Sequence, residues 1–337
     1  MKKIKVGVIG ASGFTGEELI RLLLSHPFVE ISYLSAIVDT PIDISQLFPK
    51  FKNRLELVCK NLDIEEATGR VDVVFLALPH KVSYTIAPKF LTKGKIVIDL
   101  SADYRLKDLN IYEKYYKAKH ADHKNLKQAV YGLPEFYREK IKKAKLIANP
   151  GCYPTASILT LAPLLKENLI KNIIIDAKSA ITGAGRKPLL EYHFAHLYGN
   201  LFAYKVFGHQ HLPEIIQILS EISNKEVNLR FTPHVVPVER GILVTIYANL
   251  TKKITQEQLN NIYQKYYKEE PFIRFFKQKL PNLKDVVYTN FCDIGFQCEG
   301  KNIVLVCAID NLIKGAAGQA IQNMNIICGV DERLALV

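Results

Sequence analysis

Cys152 stands in the stretch Asn149-Pro150-Gly151-Cys152-Tyr153-Pro154-Thr155, just before the midpoint of the 337 residues. Lys145–Ala148 ahead of it reads as a short buried strand, and Ala156–Ala162 behind it as the apolar opening of a helix. Two prolines and a glycine between them force a sharp strand-to-helix turn, with Pro154 suited to a first helical position. Cys152 is thereby placed where unpaired backbone N–H groups and the positive end of a helix dipole converge. Such a site favours thiolate, the nucleophilic form. A free cysteine is more often a buried small hydrophobe; here the turn decides for reactivity.

A thiolate needs a proton partner. Gly208-His209-Gln210-His211-Leu212-Pro213-Glu214 gathers two histidines and a carboxylate just before a helical run to Ile222. No third or fourth ligand follows at a usual metal spacing, so no metal is expected and acid–base work on Cys152 is the better reading. Spacing barely separates the histidines; His209 is slightly preferred over His211. Thr182-Gly183-Ala184-Gly185-Arg186-Lys187 offers backbone N–H groups and two cations in one loop, which suits a phosphate or carboxylate. Arg105 and Arg240, each beside a loop next to a strand-like run, are further anion-binding candidates.

The elements that must position these groups begin at the amino end. Lys3–Ile9 reads as a parallel strand, and Gly10-Ala11-Ser12-Gly13-Phe14-Thr15-Gly16 leads from it into the helical pattern Glu17–Leu24. A glycine-rich turn in that context lets backbone approach a pyrophosphate that the helix N-terminus attracts. The spacing is Gly-x-x-Gly-x-x-Gly, so position rather than spacing carries the reading. A second strand, Val29–Leu34, ends at Ser35, where an NAD site usually carries an acidic residue. Ser35 has no charge to repel a 2′-phosphate, which favours NADP; Asp39 follows, and no arginine is adjacent. Val71–Leu78, closed by Pro79-His80, and Lys95–Leu100 continue the alternation, with Pro79 and His80 at the edge where such sheets bind ligands.

Beyond the Cys152 helix the pattern changes. Asn172–Ala177, Val227–Thr232, Gly241–Leu250 and Ile303–Ile309 are β-rich runs that suggest an antiparallel sheet, while Asn311–Ala320 begins a helix of small residues. The expected fold is α/β: a doubly wound Rossmann-like NADP-binding domain plus an α+β substrate and dimerisation domain. Boundaries are expected at 1–148, joined by a returning C-terminal helix in 312–337, and 149–311.

Hydrophobic residues at 48% and charged residues at 23% fit an ordinary globular chain, and no apolar run reaches membrane length. Met1-Lys2-Lys3 runs straight into a strand, and the six cysteines are scattered without a Cys-x-x-Cys pair. Both point to a cytoplasmic protein with reduced thiols. The net charge of +12 comes from dispersed lysines without an arginine-rich tract, so small anionic ligands are expected rather than nucleic acid.

Together these groups imply one reaction class. A thiolate attacks an activated acyl group and expels phosphate, giving a thioester; nicotinamide hydride reduces it to a thiohemiacetal, which collapses to an aldehyde. The histidine moves the protons, and the Cys152 N–H is a candidate for holding the oxyanion.

From Ile4 to Cys328 the chain resembles the N-acetyl-γ-glutamyl-phosphate reductases of arginine biosynthesis. The motifs are Gly10–Gly16, Leu100-Ser101-Ala102-Asp103-Tyr104-Arg105, Tyr131-Gly132-Leu133-Pro134-Glu135, Asn149–Thr155, Gly183–Arg186, His209–Ile215, Phe231–His234, Arg240–Ile242 and Asn311–Gln319. The resemblance implies NADPH-dependent reduction of an acyl phosphate to N-acetyl-glutamate 5-semialdehyde with release of inorganic phosphate. It implies Cys152 as nucleophile, the histidines as acid and base, and Asn311 and Gly315 near the nicotinamide. It also implies a homodimer or homotetramer. Cofactor contacts are expected at Gly10, Ser12, Gly13, Phe14, Thr15, Gly16, Ser35 and Pro79, and substrate contacts at Arg105, Asn149, Gly183, Arg186 and Glu214. Three departures stand out: Ala180 and Thr182 where relatives carry glycine and serine, and Gln210 where an arginine is common. The nearest rival substrates are aspartyl phosphate and a carrier-bound aminoadipyl phosphate. A cysteine hydrolase would have no use for the glycine-rich opening.

Overall fold

The structure, a computed structural model, describes residues 3–187 and 189–337; the Met1-Lys2 opening lies outside the described residues. The chain divides into two compact units, Met1–Pro150 with Ala316–Val337, and Gly151–Gly315.

The first unit is built on an eight-stranded sheet of β1 (Ile4–Ile9), β2 (Val29–Ser35), β3 (Ile42–Asp43), β4 (Val58–Lys60), β5 (Val73–Leu76), β6 (Ile96–Asp99), β7 (Val130–Tyr131) and β8 (Leu146–Ala148). Their order is β3-β4-β2-β1-β5-β6-β8-β7, and every pair is parallel except β3 with β4. Strands such as Val73-Val74-Phe75-Leu76 are buried at every residue, as strands covered by helices on both faces must be. The order reverses between β1 and β5, the switch point at whose carboxyl edge such sheets bind ligands. Gly10 and Ala77 meet there.

The second unit centres on the helix Cys152–Lys166, whose residues are buried from Tyr153 through Leu165. A helix apolar all round must lie inside its unit. It packs against a seven-stranded sheet of β9 (Ile170–Ala180), β10 (Phe202–Ala203), β11 (Leu229–Val236), β12 (Ile242–Leu250), β13 (Ile273–Phe276), β14 (Cys292–Glu299) and β15 (Asn302–Ile309), in the order β10-β11-β9-β12-β15-β14-β13. The antiparallel expectation holds for most pairs. It fails for β9 with β11 and β13 with β14, which are parallel. The helix His211–Ser223 lies between β9 and β11 in the chain and supplies the crossover that a parallel pair requires.

After β15 the chain does not enter an ordinary helix. Ile313–Ala317 forms a π-helical turn, and the α-helix begins at Gly318. Asp310, fully buried, accepts the N–H groups of Leu312 (2.8 Å) and Ile313 (3.0 Å) and so fixes the start of this turn. Such turns are rare and concentrate at functional sites.

Candidate functional site

In the first unit the glycines at 10 and 16 are dictated by space. Gly10 has φ +92°, and a Cβ there would lie 2.1 Å from the Ala77 carbonyl oxygen. A Cβ on Gly16 would lie 2.2 Å from the carbonyl oxygen of Gly10. Buried Ser35, expected from sequence at the ribose, organises the turn through its backbone: its carbonyl accepts the N–H groups of Gly10 (2.7 Å) and Ala11 (2.8 Å). The helix Phe14–Leu23 follows, with Gly13 as an N-cap that makes no side-chain cap bond. Ser12, Gly13, Phe14 and Thr15 are half-buried around its opening. The first N–H groups of a helix lack intrahelical acceptors, so this glycine-lined, uncapped turn is a cradle that fits a dinucleotide pyrophosphate. Pro79 is exposed just beyond β5. His80 accepts the Ala102 N–H on Nδ1 at 3.0 Å, tying its loop to the Leu100–Arg105 motif.

Asp103 is the hub of that motif. Buried, it accepts the N–H groups of Lys81 (2.8 Å) and Tyr84 (3.2 Å) and the Tyr112 hydroxyl (2.7 Å). Burial, with the Asp103 charge second, raises the Asp99 carboxyl to about 6. Arg105 is buried and clamps backbone: Nε donates to the Asn149 carbonyl and one terminal nitrogen to the Leu100 carbonyl, both at 2.7 Å. Asn149 is likewise enclosed, donating to the Ala316 carbonyl (3.1 Å) and accepting from Asn323 Nδ2 (3.2 Å). Asn323 also donates to the Gly132 carbonyl at 2.9 Å, as Gln319 does at 3.1 Å. A Cβ on Gly132 would lie 2.5 Å from the Asn323 amide nitrogen, which accounts for the glycine in Tyr131–Glu135.

In the second unit Cys152 is the first residue of its helix and half-buried. Its N-cap, Gly151, has no side-chain cap bond, and Pro154 has no N–H. The positive end of the dipole therefore converges on Cys152 and Tyr153. Two residues far along the chain hold the Cys152 turn. Glu214, buried, accepts the Gly151 N–H on Oε1 at 2.9 Å. Gly315 lies so close that a Cβ there would sit 2.8 Å from the Cys152 Cβ.

The structure brings His209 and His211 together, ring centroids 4.8 Å apart, with Tyr153 edge-on to both at 5.5 and 5.9 Å. They are not equivalent. His209 is buried; its Nδ1 accepts the His211 N–H at 3.1 Å, so a neutral ring carries its proton on Nε2, facing the Tyr204 hydroxyl at 3.3 Å. Burial, with the Lys205 charge second, pushes His209 down to about 3. Desolvation raises both the Tyr204 and the Tyr153 phenols. Tyr153 donates to the His234 carbonyl at 3.1 Å. His211, half-buried, opens the helix His211–Ser223.

Asn311 is buried within a knot of its own: it accepts the Gly241 N–H at 2.7 Å and donates to the Thr182 hydroxyl at 2.9 Å, which donates to the Glu239 carbonyl at 2.7 Å. A threonine in place of serine at 182 keeps the hydroxyl this knot uses. Gly183 and Arg186 are exposed on the loop beyond, where Gly185 takes φ +85°. Gln210 accepts from Lys205 Nζ at 3.3 Å. Sequence reasoning missed Tyr204, Asn323 and Asp103; the five-residue spacing from Tyr204 to His209 was the available signal for the first. An open groove of about 880 Å³ on the sheet, lined by residues such as Asn172, Ile174, Tyr247 and Asn302, contains none of these groups. Among the described residues, no group of three or more His, Cys, Asp or Glu side chains is arranged to hold a metal ion.

Two family models divide the chain between them. The semialdehyde dehydrogenase NAD binding domain matches residues 5–144, and the semialdehyde dehydrogenase dimerisation domain matches 152–311. Solved structures agree on the fold: aspartate semialdehyde dehydrogenase II complexed with ASA from Vibrio cholerae is similar at TM-score 0.74 and 17% identity, covering 98% of this chain and 99% of that one. Aspartate semialdehyde dehydrogenase with NADP from Candida albicans is similar at TM-score 0.73 and 19% identity, covering 97% and 99%. The class is thus that of the semialdehyde dehydrogenases.

Relatives narrow it. N-acetyl-gamma-glutamyl-phosphate reductases from Desulfotalea psychrophila and Caldicellulosiruptor bescii are 48% and 50% identical, each over 99% of this chain and 98% of their own length. One from Campylobacter jejuni is 48% identical over 98% and 97%. The chain belongs to the N-acetyl-gamma-glutamyl-phosphate reductase family, as its motifs led us to expect.

Proposed function

We propose that this chain reduces N-acetyl-glutamyl 5-phosphate to N-acetyl-glutamate 5-semialdehyde, releasing inorganic phosphate, with NADPH as hydride donor, in arginine biosynthesis. The observation that carries the reading is the seating of Cys152 at an uncapped helix N-terminus, between Gly315 and the Glu214-held Gly151. The Cys152 thiolate attacks the acyl carbon, the carbon–oxygen bond to phosphate breaks, and a thioester forms on the sulfur. The N–H groups of Cys152 and Tyr153 face the developing oxyanion. A bound nicotinamide dinucleotide supplies the hydride that reduces this thioester. Proton donation to the resulting thiohemiacetal oxygen, and its removal as the carbon–sulfur bond breaks, fall to His211.

His209 was the slight preference from spacing. Its two nitrogens are committed to the His211 N–H and Tyr204, and burial keeps it neutral, so we read it as the residue that positions His211. Glu214 we read as holding the nucleophile's turn rather than substrate, because its carboxylate is buried on the Gly151 N–H. Gly183 and Arg186 remain the candidates for the anionic ends of the substrate.

The NADP preference is supported by the lack of an acidic residue at the end of β2 and by a cation the sequence did not reveal. Lys60 stands in register with Ser35 on the neighbouring strand β4, its Nζ paired with Glu66 at 2.5 Å. We also read the chain as a cytoplasmic homodimer or homotetramer, supported by the dimerisation-domain match and, for the location, by six free thiols. Among the described residues, no helix is long and apolar enough to cross a membrane. Aspartyl and aminoadipyl phosphates are not favoured, since the relatives named above are N-acetyl-gamma-glutamyl-phosphate reductases.

The test is the reverse reaction: purified protein given N-acetyl-glutamate 5-semialdehyde, phosphate and NADP. Phosphate-dependent formation of NADPH is expected. Preference for aspartate semialdehyde, or turnover without phosphate, would overturn the assignment.

A further inference from the structure

At the carboxyl edge of the first sheet, β2 and β4 end side by side. Ser35 stands in register with Lys60, and the Ala36 N–H donates to the Lys60 carbonyl at 3.1 Å. Asn61 accepts the Val38 N–H at 3.3 Å and donates to the Val38 carbonyl at 2.8 Å, so the chain leaving β2 is tied to the chain leaving β4. In-register neighbours on parallel strands point to the same face, which puts the Lys60 side chain beside that of Ser35. Tyr33 lies two residues before Ser35, on that same face, and its hydroxyl accepts the Asp63 N–H at 3.0 Å. Asp63 in turn caps the helix Ile64–Arg70 by accepting the Glu66 N–H at 3.0 Å, which fixes where Glu66 stands. The Glu66 carboxylate gathers two cations, Lys60 at 2.5 Å and Arg70 at 3.0 Å.

We propose that Glu66 stands on Lys60 as a surrogate for the cofactor's 2′-phosphate, and that NADPH binds by exchange: the phosphate takes Lys60 while the carboxylate keeps Arg70. Lys60 then separates NADPH from NADH, and Glu66 sets how strongly. The proposal rests on the NADP reading above. Three observations carry it. The end of β2 is where a dinucleotide fold meets the 2′ position of the adenosine ribose, and Lys60 is the cation that strand pairing puts beside it. The exchange is easy. The Lys60 and Glu66 side chains are 34% and 24% exposed, and an ion pair open to water adds little to stability. A phosphate monoester carries nearly two charges at neutral pH and makes the stronger, charge-assisted hydrogen bonds. Finally, releasing Lys60 does not strand Glu66, because Arg70 on the same helix still pairs with it. The rival cation is Lys50, whose Nζ pairs at 2.6 Å with Glu17 in the first turn of the helix Phe14–Leu23. That position is by the pyrophosphate turn rather than the end of β2.

The test reads binding rather than turnover. Wild type, Lys60→Met (which keeps the stem and removes the charge), Glu66→Gln, the double variant and Lys50→Met are titrated with NADPH and NADH by nicotinamide fluorescence. Calorimetry with adenosine 2′,5′-bisphosphate and with AMP isolates the 2′-phosphate. We expect Lys60→Met to weaken NADPH and the bisphosphate by about tenfold or more, with NADH and AMP within about twofold of wild type. Glu66→Gln should tighten NADPH and the bisphosphate by about threefold, and that gain should vanish in the double variant. Lys50→Met should keep the wild-type ratio of NADPH to NADH affinity. A wild type that binds NADH at least as tightly as NADPH would overturn both the NADP reading and this proposal. A wild type that prefers NADPH, with the preference kept in Lys60→Met or lost instead in Lys50→Met, would overturn this proposal alone. A Glu66→Gln gain that persists without Lys60 would reflect only the field of the carboxylate and overturn the exchange. Should Lys60→Met not fold, Glu66→Gln decides: NADPH binding unchanged or weakened there would overturn the proposal.

Discussion

Two turns in this molecule share one local design and diverge in what they present. Gly10–Gly16 and Asn149–Cys152 each lead from a buried parallel strand into a helix whose glycine N-cap makes no side-chain bond. Both expose the positive end of a dipole. The first offers only backbone, crowded so closely that a single methyl group at Gly10 or Gly16 meets a carbonyl oxygen. The second offers a thiol, backed by a buried carboxylate at 214 and a glycine at 315. On the proposed function, one device holds an anion in the first turn and seats the nucleophilic sulfur in the second. The backbone version should fail abruptly on substitution. The side-chain version should fail by degrees, according to which support is removed.

The sharpest break is at the sulfur. Cys152→Ser should lower turnover by at least about three orders of magnitude, with NADPH binding intact by fluorescence titration. His211→Asn should cost about 10²- to 10⁴-fold in kcat, whereas His209→Asn should cost less and leave the pH–rate limbs in place; equal losses with a shifted limb in His209→Asn would reverse the roles given to the pair. Gly315→Ala pushes on the Cys152 Cβ, and a displacement near 1 Å should lower kcat on the order of a hundredfold with KM little changed. In the other turn, Gly16→Ala should weaken NADPH binding by about tenfold or more while Cys152 keeps its rate of alkylation by iodoacetamide. That separation of effects is the comparison in measurable form.

The smallest effect is on stability. His209 is held below its ordinary value of 6.5, to about 3, so the unfolded chain binds the proton more readily between those values. Its contribution is complete above pH 6.5 and is lost as pH falls towards 3. Asp99, raised to about 6, works oppositely: the folded state keeps its proton, and stability is lost as pH rises from 3.8 through 6. Thermal melts from pH 7.5 to 5 should show a decline that is shallower in His209→Asn.

Much of the fold could be read from the chain because its cause is local. Val73–Leu76 announces a covered parallel strand, and glycines directly after β1 announce a turn that must admit a ligand. The Cys152 turn was legible for the same reason: Pro, Gly and Pro act on their own neighbours. The parallel pairing of β9 with β11 was not: the helix between them was legible, but residue type alone does not say beside which strand the chain returns after it. Nor were the groups that steady the candidate site. Glu214 reaches Gly151 across 63 residues, Asn323 reaches Gly132 across 191, and Gly315 meets Cys152 only because a π-turn brings it there. Ser35 was read through its side chain, but its carbonyl is what holds the glycine turn. Contacts of this kind are products of packing, and residue type alone does not disclose them.

The central claim is that the acyl group passes through the sulfur of Cys152, and rapid quench without any dinucleotide tests it directly. Mixing enzyme with N-acetyl-glutamyl 5-phosphate should release a burst of one phosphate per active site and leave an N-acetylglutamyl group on the Cys152 peptide by mass spectrometry. Absence of the burst, or the same burst from Cys152→Ser, would contradict the account.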